Sequence, residues 1–296
     1  MVQSIIKDHK PLAYILGSQP FYPLPKDLLV RPPILVPRPE TEHWVLHLSQ
    51  TILSSTSSSS PIQESKYRIL DIGTGSGCIA LGLSYSLLHP PTPTRTLQGK
   101  KIETFGIDQS PNAVELAREN ATRCELEGTV RINEMDLFDE TFIEEVRRLG
   151  CTEEGKGEGY DLVVSNPPYI TREEFKGLDP SVKDWEDRKA LVGEISNEIK
   201  EEEGVKGEGG EGEGKDDGLI FYRRITSILD SLLSKTSKEG SGEVSRGKGT
   251  GPPNVAFEVG MGQAEEVAKM LRIRGYKAEI VSDPWGVERA VFGWVR

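Results

Sequence analysis

The most informative run for the fold is LDIGTGSGCIA, at residues 70–80. An apolar run typical of a buried strand ends there in a glycine-rich turn, and a helical pattern opens directly after it. Glycines let the backbone of such a turn approach a ligand without interference from Cβ atoms. A dinucleotide fingerprint requires glycine at the sixth position of the turn, which is Cys78 when counted from Gly73. The stretch therefore predicts a nucleotide-type cofactor loop that is not one for NAD, with an ordinary tight turn as the alternative.

On either side of this turn, short β-branched runs alternate with helical patterns. The predicted strands span residues 67–72, 102–108, 130–134, 160–165, 255–259, 276–281 and 289–295. The predicted helices span residues 40–53, 77–88, 111–124, 219–233 and 263–274. Such alternation is typical of βαβ units, whose strands form a parallel sheet.

The last two predicted strands are separated only by a short turn region, DPWG at residues 283–286. A connection of this length permits an antiparallel hairpin and forbids a helical crossover. The sequence thus predicts an α/β fold. Its centre is a Rossmann-like, seven-stranded, mostly parallel sheet with helices on both faces and an antiparallel C-terminal edge hairpin.

The composition limits the class of protein. The chain has 296 residues, 36% of them hydrophobic, and its 36 Lys and Arg against 47 Asp and Glu leave a net charge of −11. Nucleic-acid affinity depends on Lys and Arg, so no direct nucleic-acid binding is expected. No apolar stretch is long enough to span a bilayer, and residues 1–10 lack the core of a secretory signal, which predicts a soluble intracellular protein. The three cysteines have no metal-ligand spacing, so no metal site is predicted.

The acidic charge is concentrated in one segment. Residues 194–217 (EISNEIKEEEGVKGEGGEGEGKDD) carry ten acids and three lysines, which is −7 of the total of −11. Glycine interleaved with like charge cannot bury enough surface to offset its ordering entropy, so this segment is predicted to be a disordered insertion, a solvated loop with no role. Similar insertions are predicted near residues 89–100 and 236–253, and a further surface loop at 54–60.

Acidic residues follow the next two predicted strands. Asp108 ends the run FGID, where its carboxylate could accept both ribose hydroxyls of an adenosine. An acid before Ser110 and Pro111 could instead cap the following helix. Downstream, the run EMDLF at residues 134–138 could place Asp136 and Leu137 beside an adenine ring.

A third motif, DLVVSNPPY at residues 161–169, sends a polar side chain and an aromatic ring to the same sheet edge. Consecutive prolines are stiff and lack backbone donors, which leaves their carbonyls free as fixed acceptors. An NH2 group could donate one hydrogen to the Asn166 side-chain oxygen and the other to the Pro167 carbonyl. This would aim its nitrogen into the cofactor pocket, while Tyr169 could stack on a planar group. The alternative is a rigid loop after a strand.

These motifs resemble a known group of enzymes. The pattern D-x-G-x-G-x-G at 71–77, Asp108 and NPPY at 166–169 look like the class I S-adenosylmethionine-dependent methyltransferases that modify planar nitrogen. More closely, YILG at 14–17, PRPETE at 37–42 and EVG-x-x-Q at 258–263 resemble the release factor glutamine methyltransferases, the HemK or PrmC family. The resemblance runs from about residue 11 to the C-terminus.

The resemblance implies methylation of the N5 nitrogen of the glutamine in the Gly-Gly-Gln tripeptide of a class I peptide chain release factor. It implies that residues 38–42 lie near the entrance of the site, although Glu40 and Thr41 could be ordinary first-turn helix residues. It divides the chain into an N-terminal segment with an entrance helix, 1–60, and a methyltransferase domain, 61–296. The implied S-adenosylmethionine contacts are Asp71, Gly73, Thr74, Gly75, Ser76, Gly77, Asp108, Asp136, Leu137 and Asn166. The implied catalytic residues are Asn166, Pro167, Pro168 and Tyr169.

Two departures from the family pattern stand out. Only about ten residues precede the matching segment, where family members usually carry a helical domain, so either the N-terminus is truncated or the substrate docks differently. Asp187 stands where the family segment Glu-Pro-x-x-Ala-Leu has proline, which predicts a different local loop path.

Alternatives to the resemblance remain for substrate, activity and compartment. The expected substrate is a mitochondrial release factor, and the location a mitochondrion, with the cytoplasm as the alternative. Rival functions are an amino-group methyltransferase on adenine in DNA or RNA, which would need a flipped base and a basic surface, and a catalytically silent partner subunit.

Overall fold

The computed structural model describes residues 7–55, 66–91, 97, 100–150, 159–194, 216–234 and 251–295. Most of each insertion predicted at 194–217 and 236–253 lies outside these residues, as do much of 89–100 and the domain boundary predicted at residue 60. Among the helices of the described residues, none combines the length and the apolar character that crossing a bilayer requires.

The described strands form a small antiparallel pair and one large sheet. The pair is β1 (Ser18–Gln19) and β2 (Leu28–Leu29). The large sheet consists of β3 (Lys66–Ile72), β4 (Lys101–Asp108), β5 (Val130–Glu134), β6 (Leu162–Ser165), β7 (Val255–Glu258), β8 (Lys277–Ser282) and β9 (Glu288–Trp294). Its spatial order is β5-β4-β3-β6-β7-β9-β8, parallel as far as β7 and antiparallel for the last two pairs. This confirms the predicted sheet and its C-terminal hairpin.

Helices surround this sheet. They are α1 (Leu12–Leu16), α2 (Pro39–Ser54), α3 (Cys78–Leu88), α4 (Pro111–Arg123), α5 (Phe142–Leu149), α6 (Arg172–Lys176), α7 (Pro180–Lys183), α8 (Arg188–Leu191), α9 (Ile220–Leu232) and α10 (Ala264–Ile273). Successive strand residues point to opposite faces, so Ile69 packs with α2, α3 and α4, and Leu70 with α5, α9 and α10. Both faces of the sheet are therefore buried, as the near-continuous apolar strands predict.

The predicted strands and long helices are all present, with ends displaced by two residues at most. The strand predicted at 160–165 starts at Leu162, because Tyr160 forms only an isolated bridge to Leu233. The helix predicted from Gly77 starts at Cys78, because Gly77 has a left-handed φ of +84°.

Sequence analysis missed the short elements. Helix α5 has eight residues, and α6, α7 and α8 have five or four each, too few for a periodic pattern. Local capping marks α6, α7 and α8 instead: the side chains of Thr171, Asp179 and Asp187 accept backbone N–H groups at their starts. A search for capping residues would have found them.

Candidate active site

The carboxyl ends of β3, β4 and β6 meet at one edge of the sheet and border a cavity of about 310 Å³. The register places Ile72 between Ile107 and Ser165, so the turns that follow these three strands lie side by side. The opposite wall consists of residues 33–35 and the start of α8. Ligands of open α/β sheets bind at such an edge, which makes this cavity the candidate active site.

The glycine-rich turn after β3 is fastened to β4. The backbone N–H groups of Gly73 and Thr74 both donate to the Ile107 carbonyl, at 2.9 Å. Gly73, Gly75 and Gly77 have φ values of +74°, +56° and +84°, a region that side chains with a Cβ rarely adopt. The turn therefore depends on glycine, and Gly73 and Gly75 line the cavity.

Asp71 lies behind the turn and does not line the cavity. One carboxylate oxygen accepts the Thr74 hydroxyl at 2.7 Å and the Ala80 backbone N–H at 3.2 Å, and the other has no hydrogen-bond partner among the described residues. Burial raises the pKa of Asp71 to about 7. Asp71 thus connects the turn to the start of α3 from within the core.

Asp108 lines the cavity and orders two loops. Its carboxylate accepts the backbone N–H of Gly75 and that of Ser110, each at 2.9 Å. Burial raises its pKa, and Asp187 across the cavity raises it further, while the backbone donors oppose this. Ser110, not Asp108, is the N-cap of α4. Asp108 is therefore not the helix cap of the alternative interpretation. It is a hydrogen-bond acceptor that joins the two loops.

The loop after β6 brings the amide group to the cavity. The Ser165 hydroxyl donates to the Ile72 carbonyl at 2.7 Å, which holds the end of β6 against β3. Asn166, Pro167 and Pro168 line the cavity. Among the described residues, no protein group hydrogen-bonds to the Asn166 side chain, which leaves its amide available to a ligand.

Tyr169 lies on the far side of this loop. Its ring packs against Gly260, where a Cβ would approach the Tyr169 Cδ2 atom to 2.9 Å. Burial raises the pKa of the phenol, and the neighbouring Glu258 raises it further. Arg38, from the segment predicted at the entrance, lowers the pKa of this phenol.

The predicted site residues fall into two groups. Those that line the cavity are Gly73, Gly75, Asp108, Asp136, Leu137, Asn166, Pro167 and Pro168. Those that lie behind the lining are Asp71, Thr74, Ser76, Gly77 and Tyr169. The roles predicted for both groups stay predictions: in the second group the Asp71, Thr74 and Ser76 side chains are buried, and a Cβ on Gly77 would lie 3.3 Å from that of Ala117.

The sequence analysis did not predict the residues of the cavity wall opposite the glycine-rich turn. This wall consists mainly of Pro33, Ile34, Leu35, Asp187, Lys189 and Ala190. The Asp187 backbone N–H donates to the Pro33 carbonyl at 2.7 Å, a bond that proline could not make. Only the substitution at Asp187 drew attention to this region in the sequence.

The entrance helix α2 is anchored by two buried acids. The Arg38 guanidinium donates to both oxygens of Glu186, at 2.8 and 2.6 Å, and the Glu186 side chain is fully buried. The Thr41 hydroxyl and the Trp44 indole N–H donate to Glu258, at 2.6 and 2.7 Å. Thr41 is therefore more than an ordinary first-turn residue.

Comparison with known proteins identifies the family. A family model described as a methyltransferase domain matches residues 63–202. A release factor glutamine methyltransferase of Bacillus anthracis is 31% identical over 95% of this chain and 75% of its own length. One of Geobacter sulfurreducens is 31% identical over 96% and 73%. The chain belongs to the release factor glutamine methyltransferase family.

A solved structure of a release factor-specific protein-(glutamine-N5) methyltransferase from Alicyclobacillus acidocaldarius is also similar. It is 23% identical, with a TM-score of 0.39, over 90% of this chain and 98% of that one. As a member of the release factor glutamine methyltransferases, this chain carries the D-x-G-x-G-x-G turn, Asp108 and the NPPY loop around one cavity. Within the described residues, no group of His, Cys, Asp and Glu is arranged to hold a metal ion.

Proposed function

We propose that this protein transfers a methyl group from S-adenosylmethionine to the side-chain amide nitrogen of a glutamine. The substrate is the Gly-Gly-Gln glutamine of a class I peptide chain release factor. The observation that carries the proposal is the free Asn166 amide in the cavity wall, beside Gly75 and Asp108, in a chain of this family.

The cavity suits the cofactor in size and chemistry. Its volume of about 310 Å³ is at the lower end of the roughly 300–1,000 Å³ found for small-molecule sites. Asp108 can accept ribose hydroxyls, and Leu137, Met135 and Phe221 offer an apolar surface for adenine. The charged lining residues are three acids and one lysine: Asp108, Asp136, Asp187 and Lys189. This excess of negative charge favours a cationic ligand. When bound, S-adenosylmethionine supplies an electrophilic methyl group.

The residues of the NPPY loop orient the amide. An amide nitrogen is a poor nucleophile because its lone pair is delocalised, so it must be placed accurately against the methyl group. The Asn166 side-chain oxygen and the Pro167 carbonyl can each accept one amide hydrogen. These two acceptors direct the nitrogen lone pair into the cavity and favour its pyramidalisation. The Asn166 to Tyr169 loop is the catalytic loop in this proposal.

The proposed partner is a mitochondrial release factor, and the proposed location a mitochondrion. The support is the resemblance of the PRPETE segment, residues 37–42, to organelle and bacterial members, and the low-complexity insertions, which suggest a eukaryotic source. A cytoplasmic release factor is the alternative, and comparing methylation of the two purified factors decides between them.

The test is transfer of labelled methyl from S-adenosylmethionine to a release factor and to its Gly-Gly-Gln glutamine→alanine variant. Enzyme variant Asn166→Ala is expected to lose about 100-fold or more in kcat and to bind the cofactor nearly as well, since a preorganised hydrogen-bond partner is lost. The control is Asn254→Ala, which makes the same substitution at the opposite edge of the sheet, where β6 and β7 begin. Equal label on the glutamine→alanine factor, or full activity of Asn166→Ala, would contradict the proposal.

A further inference from the structure

The side chain of Gln263, in the loop between β7 and α10, contacts three separate segments. Its amide Nε2 donates to the Tyr169 carbonyl at 2.9 Å and to the Asp217 carbonyl at 3.2 Å. Its Oε1 accepts the Gly260 backbone N–H at 3.1 Å. One side chain thus joins the catalytic loop, the segment that leads into α9, and the end of β7.

Two glycines leave room for this amide. A Cβ on Gly218 would lie 2.0 Å from the Tyr169 carbonyl oxygen and 2.8 Å from the Gln263 Nε2 atom. A Cβ on Gly260 would lie 2.7 Å from the Gln263 Oε1 atom. Only glycine fits at both positions, so the backbone on each side of the Gln263 amide is shaped around it.

The catalytic loop has few other ways to hold its position. Pro167 and Pro168 have no backbone N–H, and the Asn166 side chain makes no hydrogen bond to another described residue. The next anchor along the chain is Ile170, whose N–H donates to the Leu191 carbonyl at 2.9 Å. Ser165 therefore fixes the loop on its N-terminal side, through the Ile72 carbonyl, and the Tyr169 carbonyl held by Gln263 is the first anchor after the two prolines.

We propose that Gln263 is a positioning residue for methyl transfer. It fixes the catalytic loop through the Tyr169 carbonyl, so that the Asn166 side chain and the Pro167 carbonyl meet the substrate amide at the correct place. Gln263 does not line the cavity and does not touch the cofactor site. This role rests on the proposed function, because it acts on the geometry of the same two acceptors.

The kinetic test uses the full-length chain with Gln263→Ala and Gln263→Met. Methionine keeps the length of the side chain without its amide, so both variants lose the three hydrogen bonds and only alanine loses the packing. A displaced catalytic loop is expected to lower kcat about 10- to 100-fold in both variants. The Kd for S-adenosylmethionine is expected to stay within about twofold of the wild type. Gln263 acts on the transition state through the catalytic loop, so its loss leaves cofactor binding unchanged.

A matched control separates positioning from general stability. Asn254 precedes β7 and joins backbone groups in a similar way: its amide donates to the Asp161 carbonyl at 3.1 Å and accepts the Val295 N–H at 3.0 Å. Asn254→Ala is expected to lower the melting temperature as Gln263→Ala does and to leave kcat unchanged. Equal losses of kcat at both sites, or full activity of both Gln263 variants, would overturn the proposal.

A second test measures amide hydrogen exchange over residues 165–175 without any substrate. Its result does not depend on which substrate the enzyme methylates. Faster exchange there in both Gln263 variants, and not in Asn254→Ala, is expected and supports the positioning role. Unchanged exchange would overturn it. If the wild type methylates no release factor while exchange responds to Gln263, the proposed substrate fails and the anchoring of the catalytic loop stands.

Discussion

Two carboxylates at the same sheet edge have different surroundings. Asp108 is in the cavity wall and accepts two backbone N–H groups, whereas Asp71 is within the core and has one oxygen without a partner among the described residues. Burial opposes ionisation of both, and it raises the pKa of Asp71 to about 7 against the opposing effect of the Thr74 hydroxyl and the Ala80 N–H. The two acids therefore differ in their hydrogen-bond partners, and burial raises the pKa of both.

The raised pKa of Asp71 predicts a pH dependence of folding. Because the folded state holds the proton more tightly than the unfolded state, the stabilisation is complete below about pH 4 and is lost as the pH rises towards 7. Relative to Asp71→Asn, which cannot ionise, the wild type is expected to lose on the order of 4 kcal/mol across this range. Urea unfolding of both proteins without cofactor, at several pH values, measures the difference. Parallel pH profiles would show that Asp71 has an ordinary pKa.

At the scale of elements, the cavity depends on a strap, residues 33–38, that runs to the start of α2. The Tyr14 hydroxyl donates to the Ile34 carbonyl at 2.7 Å, and Arg38 pairs with the buried Glu186. Asp187, next to Glu186, bonds the Pro33 carbonyl. The strap and α8 thus form a single wall opposite the glycine-rich turn.

Breaking the Arg38–Glu186 pair is expected to loosen this wall. Arg38→Met leaves the buried Glu186 carboxylate without its cation, and its pKa, already raised by burial, rises further. The expected loss in the free energy of unfolding is about 2 kcal/mol, less than for a fully buried pair, because the Arg38 side chain is 36% exposed. Cofactor dissociation, followed by stopped flow, is expected to become faster.

Two further variants check the origin of this effect. Arg38→Met combined with Glu186→Gln removes the unpaired charge and is expected to recover part of the lost stability. Lys26→Met breaks an exposed ion pair with Glu125 and is expected to change neither stability nor dissociation. If the double variant is as unstable as Arg38→Met, the buried charge is not the cause.

At the scale of the whole molecule, the acidic insertion leaves and rejoins the fold at one point. Arg172 pairs with Glu194, the first residue of the insertion, and its backbone N–H donates to Asp216 near the end of the insertion, at 3.0 Å. A Cβ on Gly193 would lie 2.8 Å from the Gly218 Cα atom, so the two chain ends run side by side. The fold therefore needs only a short connection here.

Replacing residues 196–214 by a short Gly-Ser linker is expected to preserve the protein. Loop-closure entropy changes slowly with length, so the melting temperature should stay within about 2 °C and kcat within about twofold. Thermal unfolding and the methyl-transfer assay measure both. A deletion that also removes Glu194 and Asp216 is the control, and it is expected to be less stable. Loss of activity in the shorter deletion would assign a role to the insertion.

Local sequence signals were sufficient to predict the sheet and the edge where the candidate site lies. Apolar periodicity, the glycine-rich turn and the NPPY loop are local signals, because each depends on backbone conformation within a few residues. They predicted the seven strands and placed Gly75, Asp108 and Asn166 along one edge, and the structure brings these three residues around one cavity. Short capped helices such as α8 fell below the length at which periodicity is visible.

The residues that close and support that edge come from distant parts of the chain. Arg38 and Glu186 are 148 residues apart, and Gln263 reaches a carbonyl 94 residues away. No local pattern specifies such pairs, because they form only when packing of the helices on both faces brings distant loops together. For the same reason, no local pattern showed that the side chains of Thr74 and Ser76 are buried in the folded chain.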